Sequence, residues 1–280
     1  MTDLGNRINS LPVEPHSVAI FWLAQAGFAI KTSSGEVIYI DAYLSDMCET
    51  TLAGGLGSKR LMPPPMEISE ITSGVMASTH MHQDHNDEEA VEIVAKKSSD
   101  VQFVGPVSSF NRLKDIGIPE DRIHQVDAGD VYKFSGGRLR GVYADHGEGE
   151  PDAIGYIVET DDGLRVYHTG DTCYCPERME EAIQLRPDVM IGAINGTFGN
   201  MDGIEAAQLA ADVGAKVAIP CHFWMFIVQN QSATGTPKVF VDACEDHAPN
   251  ALPVLMRVGE HIVVSKNGIG EVQVEQKIGF

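Results

Sequence analysis

One six-residue run, His80-Met81-His82-Gln83-Asp84-His85, constrains this chain more than any other stretch. It begins where a short apolar segment, Val75–Ser78, ends, and helix-forming residues follow it from Asn86 onward. Imidazole nitrogens and carboxylate oxygens held at close, fixed separations are what zinc-like divalent ions require of a protein. In an extended segment, residues two apart point the same way, so His80 and His82 can grip one ion together. Asp84 and His85 fall where the chain turns toward a helix and can face a second ion close by. A site for two ions needs more than these four groups, so the fold must bring further donors from strand ends elsewhere.

Three positions qualify by local context. His146, in Ala144-Asp145-His146-Gly147, follows a predicted strand Leu139–Ala144. Asp171, in His168-Thr169-Gly170-Asp171-Thr172, follows a predicted strand Leu164–His168, with Gly170 permitting a tight turn. His222 follows a predicted strand Lys216–Pro220. Loops beyond strand ends are where sheet proteins carry their chemistry. Singly, each has a bland explanation, because Gly-Asp pairs close many turns. Beside the run at His80, the three read together as ligands.

The rest of the chain alternates strands and helices. Val18–Leu23, Phe28–Thr32 and Val37–Ile40 predict an antiparallel meander ending at Asp41. A helix is predicted from Asn86 as cap, with Glu89 three residues on. The segments Val101–Val104, Arg122–Val126, Val131–Phe134, Ile154–Glu159 and Asp188–Gly192 predict further strands, with helices over Val107–Ile116 and Pro176–Leu185. Asp202, Glu205 and Gly214 mark the cap, capping-box partner and stop of another helix. Closing strands are predicted at Pro253–Arg257, His261–Ser265 and Glu271–Val274. This pattern predicts an α/β fold, a four-layer αββα sandwich of two mixed β-sheets flanked by helices, forming a single domain over residues 1–280. The stretch 51–66, with Gly54, Gly55, Gly57 and Pro63-Pro64-Pro65, resists regular structure and is expected to form a flap or a plain surface connection.

Charge narrows the partners. Forty acidic against twenty basic residues give a formal net charge of −20. That field opposes nucleic-acid and membrane partners, and Lys59-Arg60 and Lys96-Lys97 are too small to make a basic stripe. The N-terminal residues show no export pattern, no apolar run would span a bilayer, and five cysteines without a framework suit a reducing compartment. The cytoplasm and a small-molecule substrate are the expectation, with a homo-oligomer left open.

The run Thr79 through His85 resembles the Thr-His-x-His-x-Asp-His motif of the metallo-β-lactamase superfamily, and the resemblance extends in order along nearly the whole chain. Within it, the chain resembles the L-ascorbate-6-phosphate lactonase branch and its metal-dependent hydrolase relatives, through Trp22-Leu23-Ala24-Gln25-Ala26-Gly27, Phe103-Val104-Gly105-Pro106, Tyr167-His168-Thr169-Gly170-Asp171 and Ala218-Ile219-Pro220-Cys221-His222. The chain departs from that branch in a shorter loop after Asp41 and in His146, which matches the broader superfamily. The resemblance implies one ion held by His80, His82 and His146, another by Asp84, His85 and His222, and Asp171 bridging them. It implies Asp41 as the acceptor that fixes a ligand imidazole. Zinc or manganese, with iron admitted, is the implied pair of divalent ions. The implied chemistry is hydrolysis of a small, anionic or sugar-derived lactone, with Asp171 and Asp84 as catalytic groups and Asp84 passing a proton to the leaving oxygen.

A phosphodiesterase acting on a small or cyclic nucleotide is the second expectation, and a metal-binding regulator without turnover is a third from another class. Gln25, Asn195 and Trp224 are expected at the substrate pocket. Lys59 and Arg60 are expected as a solvated pair. Cys173, Cys175 and Cys221 lie beside predicted ligands, and Cys221 is expected to pack in the core rather than bind metal.

Overall fold

The computed structural model describes residues 4–51, 58–227 and 232–277. After a short helix α1 (Leu4–Ser10) the chain runs β1 (Ser17–Trp22), β2 (Phe28–Thr32) and β3 (Val37–Ile40), then a small helix α2 (Met47–Thr51). The units β4 (Gly74–Ala77), α3 (Glu88–Lys97), β5 (Val101–Gly105), α4 (Val107–Asp115) and β6 (Ile123–Gln125) follow. Next come β7 (Val131–Phe134), β8 (Gly137–Tyr143), β9 (Ile154–Thr160), β10 (Arg165–His168), α5 (Glu180–Leu185), β11 (Val189–Ala193) and α6 (Gly203–Val213). The chain closes with β12 (Val217–Cys221), α7 (Pro237–His247), β13 (Leu252–Pro253), β14 (His261–Lys266) and β15 (Val272–Lys277).

These strands form two mixed sheets, ordered β15-β14-β1-β2-β3-β4-β5-β6 and β13-β12-β11-β10-β9-β8-β7. Hairpin-linked strands pair antiparallel, whereas β3 through β6 and β10 through β13 pair parallel. Parallel pairing needs a crossover. Helices α3, α4, α5, α6 and α7 supply it between β4 and β5, β5 and β6, β10 and β11, β11 and β12, and β12 and β13, and the stretch that begins with α2 joins β3 to β4.

The four layers follow from side-chain alternation. In β1, Val18, Ile20 and Trp22 enter the core between the sheets, while Ala19 and Phe21 enter a second core on the other face. Ile38 and Ile40 against Val37 and Tyr39 repeat the split in β3. The second core is completed by Leu4 and Ile8 of α1, Ala90 and Val94 of α3, and Leu113 of α4. Ala182 of α5, Ala206 and Leu209 of α6, and Phe240 of α7 cover the other sheet. Strands buried on both faces read as unbroken apolar runs, as all of β1 does.

Most element boundaries shift by a residue or two from the expectation, α5 begins at Glu180 instead of Pro176 and β15 runs on to Lys277, and some elements differ in kind. The cap of α3 is Asp87, not Asn86: its side chain accepts from Ala90 N and also holds Leu44 N, Ser45 N and Ser45 Oγ. The closing strand expected over Pro253–Arg257 is only Leu252–Pro253. Of the loop expected over 51–66, residues 52–57 lie outside the described residues. Its remainder is fastened down. Arg60 is 8% exposed, donates to the Tyr43 and Ser45 carbonyls at 3.0 and 3.1 Å, and stacks 4.5 Å from the Tyr43 ring. Arg60 is therefore not part of a solvated pair; Lys59 is exposed and faces Glu49 at 3.7 Å.

Candidate metal centre

The parallel strands end together, and the loops leaving β3, β4, β10, β11 and β12 meet at one end of the sandwich, where open α/β sheets place their ligands. Immediately after β3, Asp41 takes a left-handed backbone (φ 51) and turns its carboxylate inward. One oxygen accepts Thr79 N at 2.8 Å; the other accepts Thr79 Oγ1 at 2.7 Å and His85 Nδ1 at 2.7 Å. With its Nδ1 proton engaged, His85 presents Nε2 to the site. The motif itself is coiled into a turn, because His82 O accepts from both His85 N and Asn86 N.

Around this turn the seven ligand-type residues converge. Three triads have ligand atoms within 4.8 Å of one another: His80, His82 and His146; His80, His85 and Asp171; Asp84, His85 and His222. His80 Nε2 lies 2.9 Å from His82 Nδ1, and His85 Nε2 lies 3.2 Å from His222 Nε2. Asp171 sits between the outer triads, with Oδ1 3.5 Å from His85 Nε2 and Oδ2 3.2 Å from His222 Nε2 and 3.8 Å from His146 Nε2. Asp171 Oδ1 and His146 Nδ1 are buried without a hydrogen-bond partner. Facing imidazole nitrogens, an orphaned buried carboxylate oxygen and a second carboxylate form a donor set that repels itself unless cations enter it. Divalent ions fit that set.

Asp171 is aimed by its own neighbours. Asn200 Nδ2 donates to its Oδ2 at 2.7 Å. His168, wholly buried, donates from Nε2 to Ala26 O and accepts Gly170 N on Nδ1 at 3.1 Å. Gly170 is required here: its φ is 62, and a Cβ would stand 2.6 Å from Ile154 O.

Sequence reasoning missed Glu150. It is buried, and its Oε1 lies 3.2 Å from Nε2 of half-exposed His82, whose Nδ1 faces the site. Burial pushes the Glu150 carboxyl up, with His82 opposing. The contact matches the carboxylate–histidine pairing that orients metal ligands. Replacing Glu150 with alanine is expected to weaken metal binding about 10–100-fold, and Glu150→Gln, which keeps an acceptor oxygen, by less. Chelator competition on purified variants measures this; unchanged affinity in Glu150→Ala would remove Glu150 from the account.

Electrostatics in the metal-free protein show the demand for positive charge. Burial alone would depress His222, yet the Asp171 carboxylate, with Asp84 bonded beside it, lifts it to about 9. Burial also opposes charge on His85, but Asp171, Asp41 and Asp84 hold it well above its ordinary value. Burial followed by the repulsion of His85 drives His80 well below its ordinary value, so it is a neutral ligand. Asp84 and Asp171 are pushed up by burial and pulled far below the usual carboxylate range, by His85 first and by His222 first respectively.

A pH dependence follows. The raised His222 contributes stability that is complete below its unfolded value of 6.5 and is lost as the pH rises through about 9. The depressed Asp84 and Asp171 contribute stability present above their unfolded value of 3.8 and lost as the pH falls further. His80, held below its ordinary value, takes up a proton in the unfolded chain below 6.5 but not in the folded one. Metal-free protein is thus expected to be most stable near pH 6.5 and to weaken toward pH 9. Denaturant midpoints across that range test this, and a flat profile from neutral to alkaline pH contradicts it.

Of the three residues expected at the substrate pocket, two are buried. Gln25 is 1% exposed, and its Nε2 donates to Asp84 Oδ2 at 2.8 Å and lies 3.1 Å from His222 Nε2. Asn195 is fully buried and bonds Thr197 Oγ1 at 3.1 Å. Trp224 is 50% exposed, as an outer wall would be. Cys221 packs in the core, and no triad around Asp171 includes a thiol. Among the described residues, left-handed backbone in non-glycine residues gathers here: Ala24, Gln25, Asp41, Phe198, His222 and Trp224, against His16 and Arg186 elsewhere. Such strain clusters at functional sites.

Comparison with known proteins agrees with this geometry. The family described as Beta-lactamase superfamily domain matches residues 19–222. A metal-dependent hydrolase of Polynucleobacter asymbioticus is 25% identical over 227 residues, covering 73% of this chain and 73% of that protein. A probable L-ascorbate-6-phosphate lactonase of Salmonella paratyphi B is 25% identical over 261 residues, covering 78% of this chain and 73% of that one. The structure of a metallo hydrolase from the archaeon Ignicoccus hospitalis superposes with a TM-score of 0.65 at 22% identity, covering 94% of this chain and 100% of its own. The stacked mixed sheets, the donor set at their strand ends and the match over residues 19–222 place this chain in the metallo-β-lactamase superfamily.

Proposed function

We propose that the chain is a metal-dependent hydrolase that opens a small lactone with two divalent ions, zinc or manganese. The observation that carries this reading is the position of Asp171 between the triad His80–His82–His146 and the triad Asp84–His85–His222. Ions bound there would lower the pKa of water toward neutrality and polarise a carbonyl. The protein's own groups do the rest. Asp171 holds both triads at a common carboxylate, and Asn200 and His168 keep it from rotating. Asp41 and Glu150 fix the tautomers of His85 and His82. Asp84, more open to solvent than Asp171, carries the proton to the leaving oxygen.

The lactone assignment draws on the 25% identity to the probable L-ascorbate-6-phosphate lactonase. A phosphate on the substrate is not part of the proposal. In the described part of the 51–66 loop, Arg60 is committed to backbone carbonyls and Lys59 to Glu49. Met81, Phe198 and Trp224, on the loops that carry the ligands, are exposed apolar groups and suit a partly apolar ring.

Protein stripped of metal and reloaded with Zn2+ or Mn2+ should hydrolyse lactones only when loaded. Turnover of phosphodiesters with none on lactones overturns the lactone reading. Full metal loading with no turnover of any ester makes the chain a metal-binding regulator instead.

A further inference from the structure

Among the described residues, one more cluster outside the triads around Asp171 gathers metal-ligand atoms. A carboxylate oxygen of Asp145 and the thiols of Cys173 and Cys175 lie within 4.8 Å of one another. The two loops that carry them are laced together: Cys173 N donates to Asp145 O at 2.9 Å, and Asp145 N to Thr172 Oγ1 at 2.9 Å. Cys175 is buried and Cys173 half-buried, so the cluster opens to solvent on one side only. All five cysteines are free thiols.

We propose that Asp145, Cys173 and Cys175 form a separate site for one thiophilic divalent cation, Zn2+ or Cd2+, with water as fourth ligand. A tetrahedral ion with bonds of about 2.0–2.3 Å sets its donors roughly 3.5–3.8 Å apart, so small side-chain rotations close the present spacing. Both thiols release their protons to solvent as they bind. Two thiolates and a carboxylate around a divalent ion leave one negative charge in excess. Arg178 balances it, since its Nη1 lies 2.5 Å from Asp145 Oδ2 and its guanidinium stacks 4.3 Å from the Tyr143 ring. Donor softness separates the two sites, with imidazole and carboxylate around Asp171 and thiolate here. Asp145 adjoins His146 and Cys173 lies two residues from Asp171, so an ion here clamps together the loops that present those two groups. The site stands whether or not the chain is a lactonase.

The test is a Cd2+ titration of the reduced full-length protein, followed through the ultraviolet thiolate-to-cadmium charge-transfer band, to which imidazole and carboxylate ligands do not contribute. The wild type is expected to develop the band and to hold one more Cd2+ per chain at equilibrium dialysis than Cys173→Ser/Cys175→Ser, which loses the band. Should the double variant fail to fold by circular dichroism, Cys173→Ser alone is expected to reduce the band by about half. Cys221→Ser, a control for the other thiols, keeps the band. No band in the wild type, an undiminished band in the serine variants, or equal Cd2+ stoichiometry in wild type and double variant overturns the proposal.

Discussion

Replacing Asp171 with alanine is expected to release bound metal and to lower kcat/KM by more than about 100-fold, the upper range for losing a partner that merely supports a ligand. The expectation rests on position. Among the described residues, Asp171 is the one carboxylate within 4 Å of His85, His146 and His222 together, at 3.5, 3.8 and 3.2 Å. Without it, the outer triads keep three donors each but lose the carboxylate that lies between them, and the positive charge drawn to His222 loses its principal counter-charge. Elemental analysis beside steady-state kinetics reads both effects. Full metal content with wild-type turnover would reject the bridging role.

Asp41 carries the second large effect, and it is one of stability as much as metal. Its carboxylate accepts Thr79 N, Thr79 Oγ1 and His85 Nδ1 with no exposure to water. Asp41→Ala leaves all three donors buried without that acceptor, which is expected to destabilise the protein by about 3–5 kcal/mol, the range for breaking a buried pair from one side. Asp41→Asn keeps an oxygen for Thr79 but sets an amide against the His85 proton. It is expected to cost less in stability while still weakening metal binding about 10–100-fold. Urea unfolding of the metal-free variants separates the two effects. A small shift in the midpoint of Asp41→Ala would show that the three bonds add little.

The sequence carried the layered sheets because β1 to β4, β9, β11 and β12 bury every residue, and continuous apolar runs such as Val18–Trp22 and Val189–Ala193 survive in that setting. Helix α6 was legible at both ends, since Asp202, Glu205 and Gly214 act through local hydrogen bonds. Helix α7 was not, although Thr236 caps it and Pro237 sits in its first turn. A proline met before any strong apolar stripe reads as a break, and only packing against α6 shows that it opens a helix. The site divides in the same way. His80 through His85, His146, Asp171 and His222 announce themselves by donor type beyond strand ends. Glu150, Asn200 and His168 act through contacts closed only by the tertiary fold, with no spacing to betray them. Gln25 and Asn195 lie in the expected loops and are buried there, and their partners Asp84 and Thr197 are a matter of side-chain direction that loop position cannot encode. Arg60 misled because its guanidinium, a surface group by type, is drawn inward by two backbone carbonyls.

The central claim is that seven side chains from position 80 to position 222 enclose a pair of cations. Its most direct test is the metal content of the Cys173→Ser/Cys175→Ser chain, otherwise unchanged, after saturation with Mn2+ and removal of loosely held ions. The account predicts two ions per chain, falling together with activity in Asp171→Ala. A chain that hydrolyses its substrate at full rate with no bound metal, or with a single ion, contradicts it.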